Sequence, residues 1–195
     1  MSRSDHLERT NLSTRALEFL LDLHDASQDE SIGTQDESIQ TLCVVAEQLR
    51  PGATVGGSII DGCSATFDRV VFPSLPASHF STLRHIPIGP PYIGTCAQAV
   101  CEERLVVCPD LATDTRFDDG WRRLYLGLGI HSVQSAPVFS FNGRPLGTFV
   151  VALRQPHASF DMEMTGFGVY GMRTILQNRP CYSGPAVSPP PKDVA

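Results

Sequence analysis

The run Gly147 to Leu153, GTFVVAL, carries no polar alternation beyond Thr148. A strand apolar on both faces must be covered on both, so this run predicts a central strand with helices on one side and another layer opposite. It is the second arm of a hairpin. The apolar runs Ser135 to Phe141 and Leu146 to Leu153 flank Asn142-Gly143, the dipeptide that most readily takes positive φ at both central positions of a type I′ turn.

The rest of the chain supplies the covering layers. Residues 1–11 are polar and read as a disordered start. Leu12, Ala16, Leu17, Leu20, Leu21 and His24 recur at three- and four-residue steps, which predicts an amphipathic helix over Ser13 to Ala26. A tandem duplication follows: QDESIGT over 28–34, then QDESIQT over 35–41. The first copy reads as a surface linker, the second as the opening of a helix on Ile39, Leu42, Cys43, Ala46 and Leu49, with Asp36 or Ser38 near its cap and Pro51-Gly52 as its stop.

Thr54 to Asp61 and Thr66 to Phe72 read as a second hairpin turning at Asp61-Gly62. Next come one or two helical turns capped by Ser74 or Ser78, a Pro- and Gly-rich crossing over Arg84 to Tyr92, a short helix over Gly94 to Glu102 and a strand over Arg104 to Cys108. A polar loop then leads into a helix with Trp121, Leu124, Tyr125 and Leu128. Asp161 to Gln177 predicts a last helix, although Gly166, Gly168 and Gly171 each weaken it by up to about 1 kcal/mol relative to Ala. The tail from Pro180 is too Pro-rich to fold.

This order predicts an α+β domain: a central antiparallel sheet, helices on one face, and a crossover from about Ser74 to Gly129 forming a pocket on the other. The expected division is an N-terminal tail, helix and linker over 1–35, a domain over 36–178 and a disordered tail over 179–195.

Composition narrows the function. The 42% hydrophobic content supports a real core, and no apolar run approaches the roughly 18 residues that span a bilayer. With no signal-peptide pattern, a cytoplasmic protein is expected. The net charge of -6 and the lack of a Lys/Arg cluster argue against a nucleic-acid surface. Cys43, Cys63, Cys96, Cys101, Cys108 and Cys181 show no C-x-x-C pair, so reduced thiols and no structural zinc are expected.

Several ordered motifs carry a family resemblance. Leu75-Pro, His85-Ile-Pro-Ile-Gly, Gly94-Thr-Cys-Ala-Gln-Ala, Val106-Val-Cys-Pro-Asp-Leu-Ala-Thr-Asp, Trp121, Gly129-Ile-His-Ser-Val-Gln-Ser-Ala-Pro-Val and Gly143-Arg-Pro-Leu-Gly-Thr-Phe resemble a GAF domain over about Asp36 to Gln177. The likeness is to the type in bacterial histidine kinases and cyclic-dinucleotide signalling enzymes. It implies a small-molecule pocket on the sheet face opposite the helices and a sensory or dimerising role, with no catalytic output module in the residues after Gln177.

Cys96 is the thiol of interest, because Gly94-Thr95 places it in the first turn of a short helix, where amide groups favour a thiolate or another anion. The plainer reading of Cys96 is a packed residue in a pocket wall. A small anion or polar metabolite would meet Tyr92, Thr95, Cys96, Trp121, His131 and Gln134, provided Cys96 and His131 open onto one pocket. Asp110 precedes a polar loop with Asp114, Asp118 and Asp119, and reads as a turn cap or a ligand contact.

The enzymatic alternative comes from the resemblance, since free methionine-(R)-sulfoxide reductases are GAF proteins with a cysteine in a similar turn. Here Ala97 replaces the Gly usual after that cysteine, and no cysteine lies in Gly129 to Val133. Some GAF sensors carry haem or a bilin. His131 admits the first, no neighbouring cysteine attaches the second, and neither cofactor is expected. The partners expected are a small ligand and either a second copy of the chain or a signalling protein, without nucleic acid or membrane.

Overall fold

The computed structural model describes residues 14, 16–23, 35–61, 64–159 and 161–177. The expected disordered start, the ends of the first helix, the first copy of the duplicated segment, Gly62 of the expected turn, Cys63, Cys181 and the Pro-rich tail lie outside them. Among the described residues no helix is long and apolar enough to cross a membrane.

Five antiparallel strands form one sheet: β1 (Ala53–Asp61), β2 (Thr66–Val71), β3 (Val106–Cys108), β4 (Ser132–Phe139) and β5 (Pro145–Leu153), in the order β2-β1-β5-β4-β3. The unbroken apolar run is the central strand. Leu146 to Ala152 are all buried, and alternation divides them between two cores. Phe149 and Val151 point to a helical layer, Val150 and Ala152 to the crossover.

Two long helices build the helical layer: α1 (Gln35–Leu49) and α4 (Met162–Gln177). In α1 the expected Ile39, Leu42, Cys43 and Ala46 are buried against Val55, Ile59, Met172 and Leu176. The helix starts at Gln35, so the second copy of the duplicated segment lies within it. Asp36 pairs with Arg69 of β2. A residue at Gly57 faces the same layer: a Cβ there would stand 3.0 Å from the Met172 Sδ and Cε atoms. Residues 16–23 are helical and also dock here, through Ala16, Phe19, Leu20 and Leu23, whereas Leu17 and Leu21 of the expected stripe are exposed.

The crossover carries two 3-10 turns (Ala77–His79 and Ser81–Leu83), α2 (Thr95–Cys101) and α3 (Asp119–Gly127). The first turn follows Pro76 without a side-chain cap, so neither Ser74 nor Ser78 caps it; Ser74 instead donates to Glu47. The crossover also shields the sheet edge. Phe67 N–H donates to Ile86 C=O at 3.2 Å, and Ile88 N–H to Ala65 C=O at 2.9 Å, which brings Ile86 to the margin of β2.

The central hairpin differs from the expected type I′ turn. Gly143 N–H donates to Ser140 C=O at 3.0 Å, so Phe141 and Asn142 are the central pair, and of the loop residues only Gly143 takes positive φ, 80°. A three-residue loop ending in a left-handed Gly matches strand twist by a bulge, and the β4–β5 register shifts between Val138 and Phe139.

Candidate ligand site beneath the crossover

The site floor is a group of hydroxyls on three adjacent strands and one helix. Ser58 of β1 and Thr148 of β5 are register partners, with their oxygens 2.6 Å apart. Ser135 of β4 lies on the same face, 2.8 Å from Thr95 Oγ1 of α2 and 3.4 Å from Cys96 Sγ. Ser58, Thr95, Ser135 and Thr148 are all buried. An unpartnered buried hydroxyl costs about 1–3 kcal/mol, and each of these is bonded within the group.

Above this floor is a cavity of about 30 Å³, lined by Ser58, Cys96, Gly94, Ile86, Trp121 and Tyr125 among others. That volume has room for roughly two water molecules, so a metabolite enters only if the roof moves. The roof is Trp121. Its indole lies on Gly94, where a Cβ would stand 2.4 Å from Cε2. Phe117 and Tyr125 pack against the indole as tilted rings at centroid distances of 5.3 and 5.0 Å.

Local sequence explains the roof. Asp118 caps α3 by accepting from Trp121 N–H at 2.9 Å, and Asp118 N–H donates to Ile93 C=O at 3.2 Å. The residue before Gly94 is thereby tied to the start of the helix that presents Trp121. Arg122 fixes the preceding loop by donating to Leu111 and Ala112 carbonyls at 3.1 and 3.3 Å.

Electrostatically the site is neutral. Burial pushes the Cys96 thiol up, and hydrogen bonds from Ser135, Thr148, Ser58 and Thr95 offset this only in part. The thiolate expected from the helix terminus therefore does not follow: α2 has only seven residues, and desolvation outweighs its amides. Burial likewise drives Tyr125 well above its ordinary range, with the Cys96 group adding to the effect and a Trp121 hydrogen bond opposing it.

The expected site residues separate. Cys96 and Trp121 line the cavity, and Thr95 belongs to the floor. Tyr92 packs beside Cys96 without lining it. Gln134 stands on the opposite face, donating to Thr165 of α4 at 3.1 Å, because strand alternation sends Val133 and Ser135 to the crossover side. His131 also lies away from the cavity lining. Its backbone joins Leu153 and Leu111, four residues from Ser135, about 13 Å of extended chain. Cys96 and His131 therefore do not share this cavity. Asp110 closes its own loop, accepting from Ala112 N–H at 3.0 Å and Thr113 Oγ1 at 3.1 Å.

Ser58, Tyr125, Ser135 and Thr148 join the site without having been singled out as site residues. The one local signal was Thr148, the lone polar residue of its run.

The fold is shared with solved structures that are similar at low identity. A free methionine-R-sulfoxide reductase from Neisseria meningitidis is 19% identical, with a TM-score of 0.59 over 83% of this chain and 88% of that one. The GAF domain of a phosphoenolpyruvate-protein phosphotransferase from Coxiella burnetii is 16% identical, with a TM-score of 0.61 over 83% and 90%. A domain of a two-component sensor histidine kinase protein from Sinorhizobium meliloti is 16% identical, with a TM-score of 0.54 over 75% and 90%. No curated protein sequence matches significantly. The sequence model of the GAF domain matches residues 39–167; with that match spanning most of the described sheet and helices, the chain belongs to the GAF domain family.

Proposed function

We propose that this GAF domain is a small-molecule-binding regulatory module in signal transduction, without chemistry of its own, and that its ligand site is the cavity under Trp121. The observation that carries the reading is the cavity on the crossover face, with a hydroxyl floor and the Trp121 indole as roof. Ligand in this space displaces or reorders the crossover. A signal results only where the two arrangements differ in affinity.

The route outward is physical. β1 carries Ser58 on the cavity face and Gly57 against Met172 on the other, and β4 carries Ser135 on one face and Gln134 against Thr165 on the other. Movement of the floor is thus felt by α4. The receiving partner in this reading is a second copy of the chain or a signalling protein, meeting the flanking helices where Leu17 and Leu21 are exposed. Light scattering that finds a monomer at every concentration, with and without ligand, would count against the second copy.

Thermal-shift screening with nucleotides, small anions and metabolites tests the site, since a ligand that binds only the folded state raises the melting temperature by mass action. Trp121 is the chain's only tryptophan, so its emission reports the same cavity. A compound that raises the melting point while leaving Trp121 emission unchanged would place binding elsewhere.

The structural likeness to a methionine-sulfoxide reductase supports a second, enzymatic reading through Cys96. Against it stand a thiol whose pKa is raised by burial and Ala97 in the place of the usual Gly. Incubation with free methionine sulfoxide and dithiothreitol separates the readings. The expected result is no turnover; turnover lost in Cys96→Ser would reverse the assignment.

A further inference from the structure

The chemistry of the cavity wall selects its guest, an inference that rests on the reading of this cavity as the ligand site. Apolar side chains from β2, the second 3-10 turn and the 86–93 crossing make most of the wall, and its polar groups are the Ser58 hydroxyl, the Cys96 thiol and the Tyr125 phenol. No Asp, Glu, Lys, Arg or His side chain lines it. A carboxylate, phosphate or ammonium brought here would shed its water without meeting an opposite charge, which strongly disfavours it. The anion expected from the α2 terminus also meets a steric obstacle, because the indole covers Gly94.

The floor offers something different. A hydroxyl has one donor and two acceptor sites, and the Ser58–Thr148 contact of 2.6 Å uses one hydrogen bond between two such groups. Ser58 lines the cavity, and after its bonds to Thr148 and the Cys96 thiol it keeps one further hydrogen-bonding site. The roof also has the means to move. α1, α2 and α4 pack with their backbones close to strands, whereas α3 rests on the sheet mainly through side chains, Trp121 and Tyr125 among them. The space under the indole is lined by the rings of Phe67 and Tyr125, which suit another flat ring.

We infer that the site takes a small uncharged aromatic molecule bearing a hydroxyl, which displaces the Trp121 indole from Gly94 and hydrogen-bonds to Ser58. The ring takes the space beneath the indole beside Phe67 and Tyr125, and the hydroxyl enters the bonded group on the floor. No covalent step is involved.

Phenol, toluene and benzoate test this on the whole chain, followed by Trp121 emission and melting temperature. Phenol is expected to shift both, toluene to bind about fivefold more weakly for want of one hydrogen bond, and benzoate to leave both unchanged. Ser58→Ala should reduce phenol to the level of toluene. Benzoate binding as tightly as phenol, or a phenol preference that survives Ser58→Ala, would overturn the inference. The phenol and benzoate comparison needs no variant and stands even where Ser58→Ala does not fold. Should a charged metabolite from the wider screen bind while phenol leaves Trp121 unmoved, the inference fails and the ligand-binding reading survives. Silence from every compound in both experiments overturns both.

Discussion

Gly168 of α4 sits on the ring of Phe149 in β5: a Cβ at that position would stand 2.2 Å from Phe149 Cζ. Gly171, one turn along, meets Leu42 of α1 in the same way, at 2.5 Å, whereas nothing approaches Gly166 within 4 Å. Three glycines that look alike in the sequence thus divide into two close-packed positions and one open one. Gly166→Ala should stabilise the protein by up to about 1 kcal/mol, the helix-propensity difference. Gly168→Ala should destabilise it by about 1–3 kcal/mol, because Phe149 is fully buried and has nowhere to go. Urea unfolding of the two variants checks the opposite signs.

Gly94 makes the same kind of contact on the other face. Its φ of -155° is open to any residue, so a side chain there is opposed by packing, with the Trp121 indole as its nearest neighbour. Gly94→Ala should push the indole outward, red-shift the emission of the single tryptophan and cost about 1–3 kcal/mol by overpacking. Unchanged emission would show that the roof is held by something other than this contact.

Asp161 links α4 to α1. It caps α4 through Met164 N–H at 3.0 Å and pairs with Arg50 at 2.6 Å. Burial would raise its pKa, but the Met164 amide, the Arg50 guanidinium and the Glu163 amide together hold it below the ordinary value. A folded pKa below the unfolded one gives stability that is complete above about pH 4 and is lost as pH falls through the folded pKa. Asn caps a helix about as well as Asp, so Asp161→Asn isolates the charge. It should cost about 0.5–1 kcal/mol near neutrality, with the two stability curves converging once pH has fallen below the folded pKa of Asp161. An offset constant across this range would contradict the assignment.

Cys96 should be a slow thiol in the folded protein. Alkylation proceeds through the thiolate, and burial holds the group protonated despite four neighbouring hydroxyls. Modification by iodoacetamide at mildly alkaline pH, measured by peptide mass spectrometry, should be about tenfold or more slower in the native protein than in urea. A native rate matching that of the unfolded chain would indicate an accessible, activated sulfur.

Much of the architecture was legible in the sequence because it rests on short-range periodicity. The unbroken run Gly147 to Leu153 is the sheet centre, and the α1 pattern from Ile39 to Ala46 is its buried face. The turn at Asn142-Gly143 was located but mistyped, since a two-residue turn and a three-residue loop with a bulge both use a glycine with positive φ. Gln134 faces away from the cavity, and Ser135 faces it. Whether Gln134 or Ser135 faces the cavity depends on strand register, and from residue types alone Gln134 is the more inviting ligand contact.

The order of apolar and polar residues along this chain was enough to determine a central strand and its two covers, because burial on both faces leaves a local mark; the family resemblance was carried by its ordered motifs instead. The site was decided only in three dimensions. Ser58, Thr95, Ser135 and Thr148 come from four separate segments and form one hydrogen-bonded floor because register places Ser58 opposite Thr148 and α2 above Ser135. Hydroxyls that bond to one another across a sheet leave no spacing to read. Tertiary packing also made Trp121 the roof and Cys96 a neutral thiol, since both outcomes depend on how much water the assembled layers exclude.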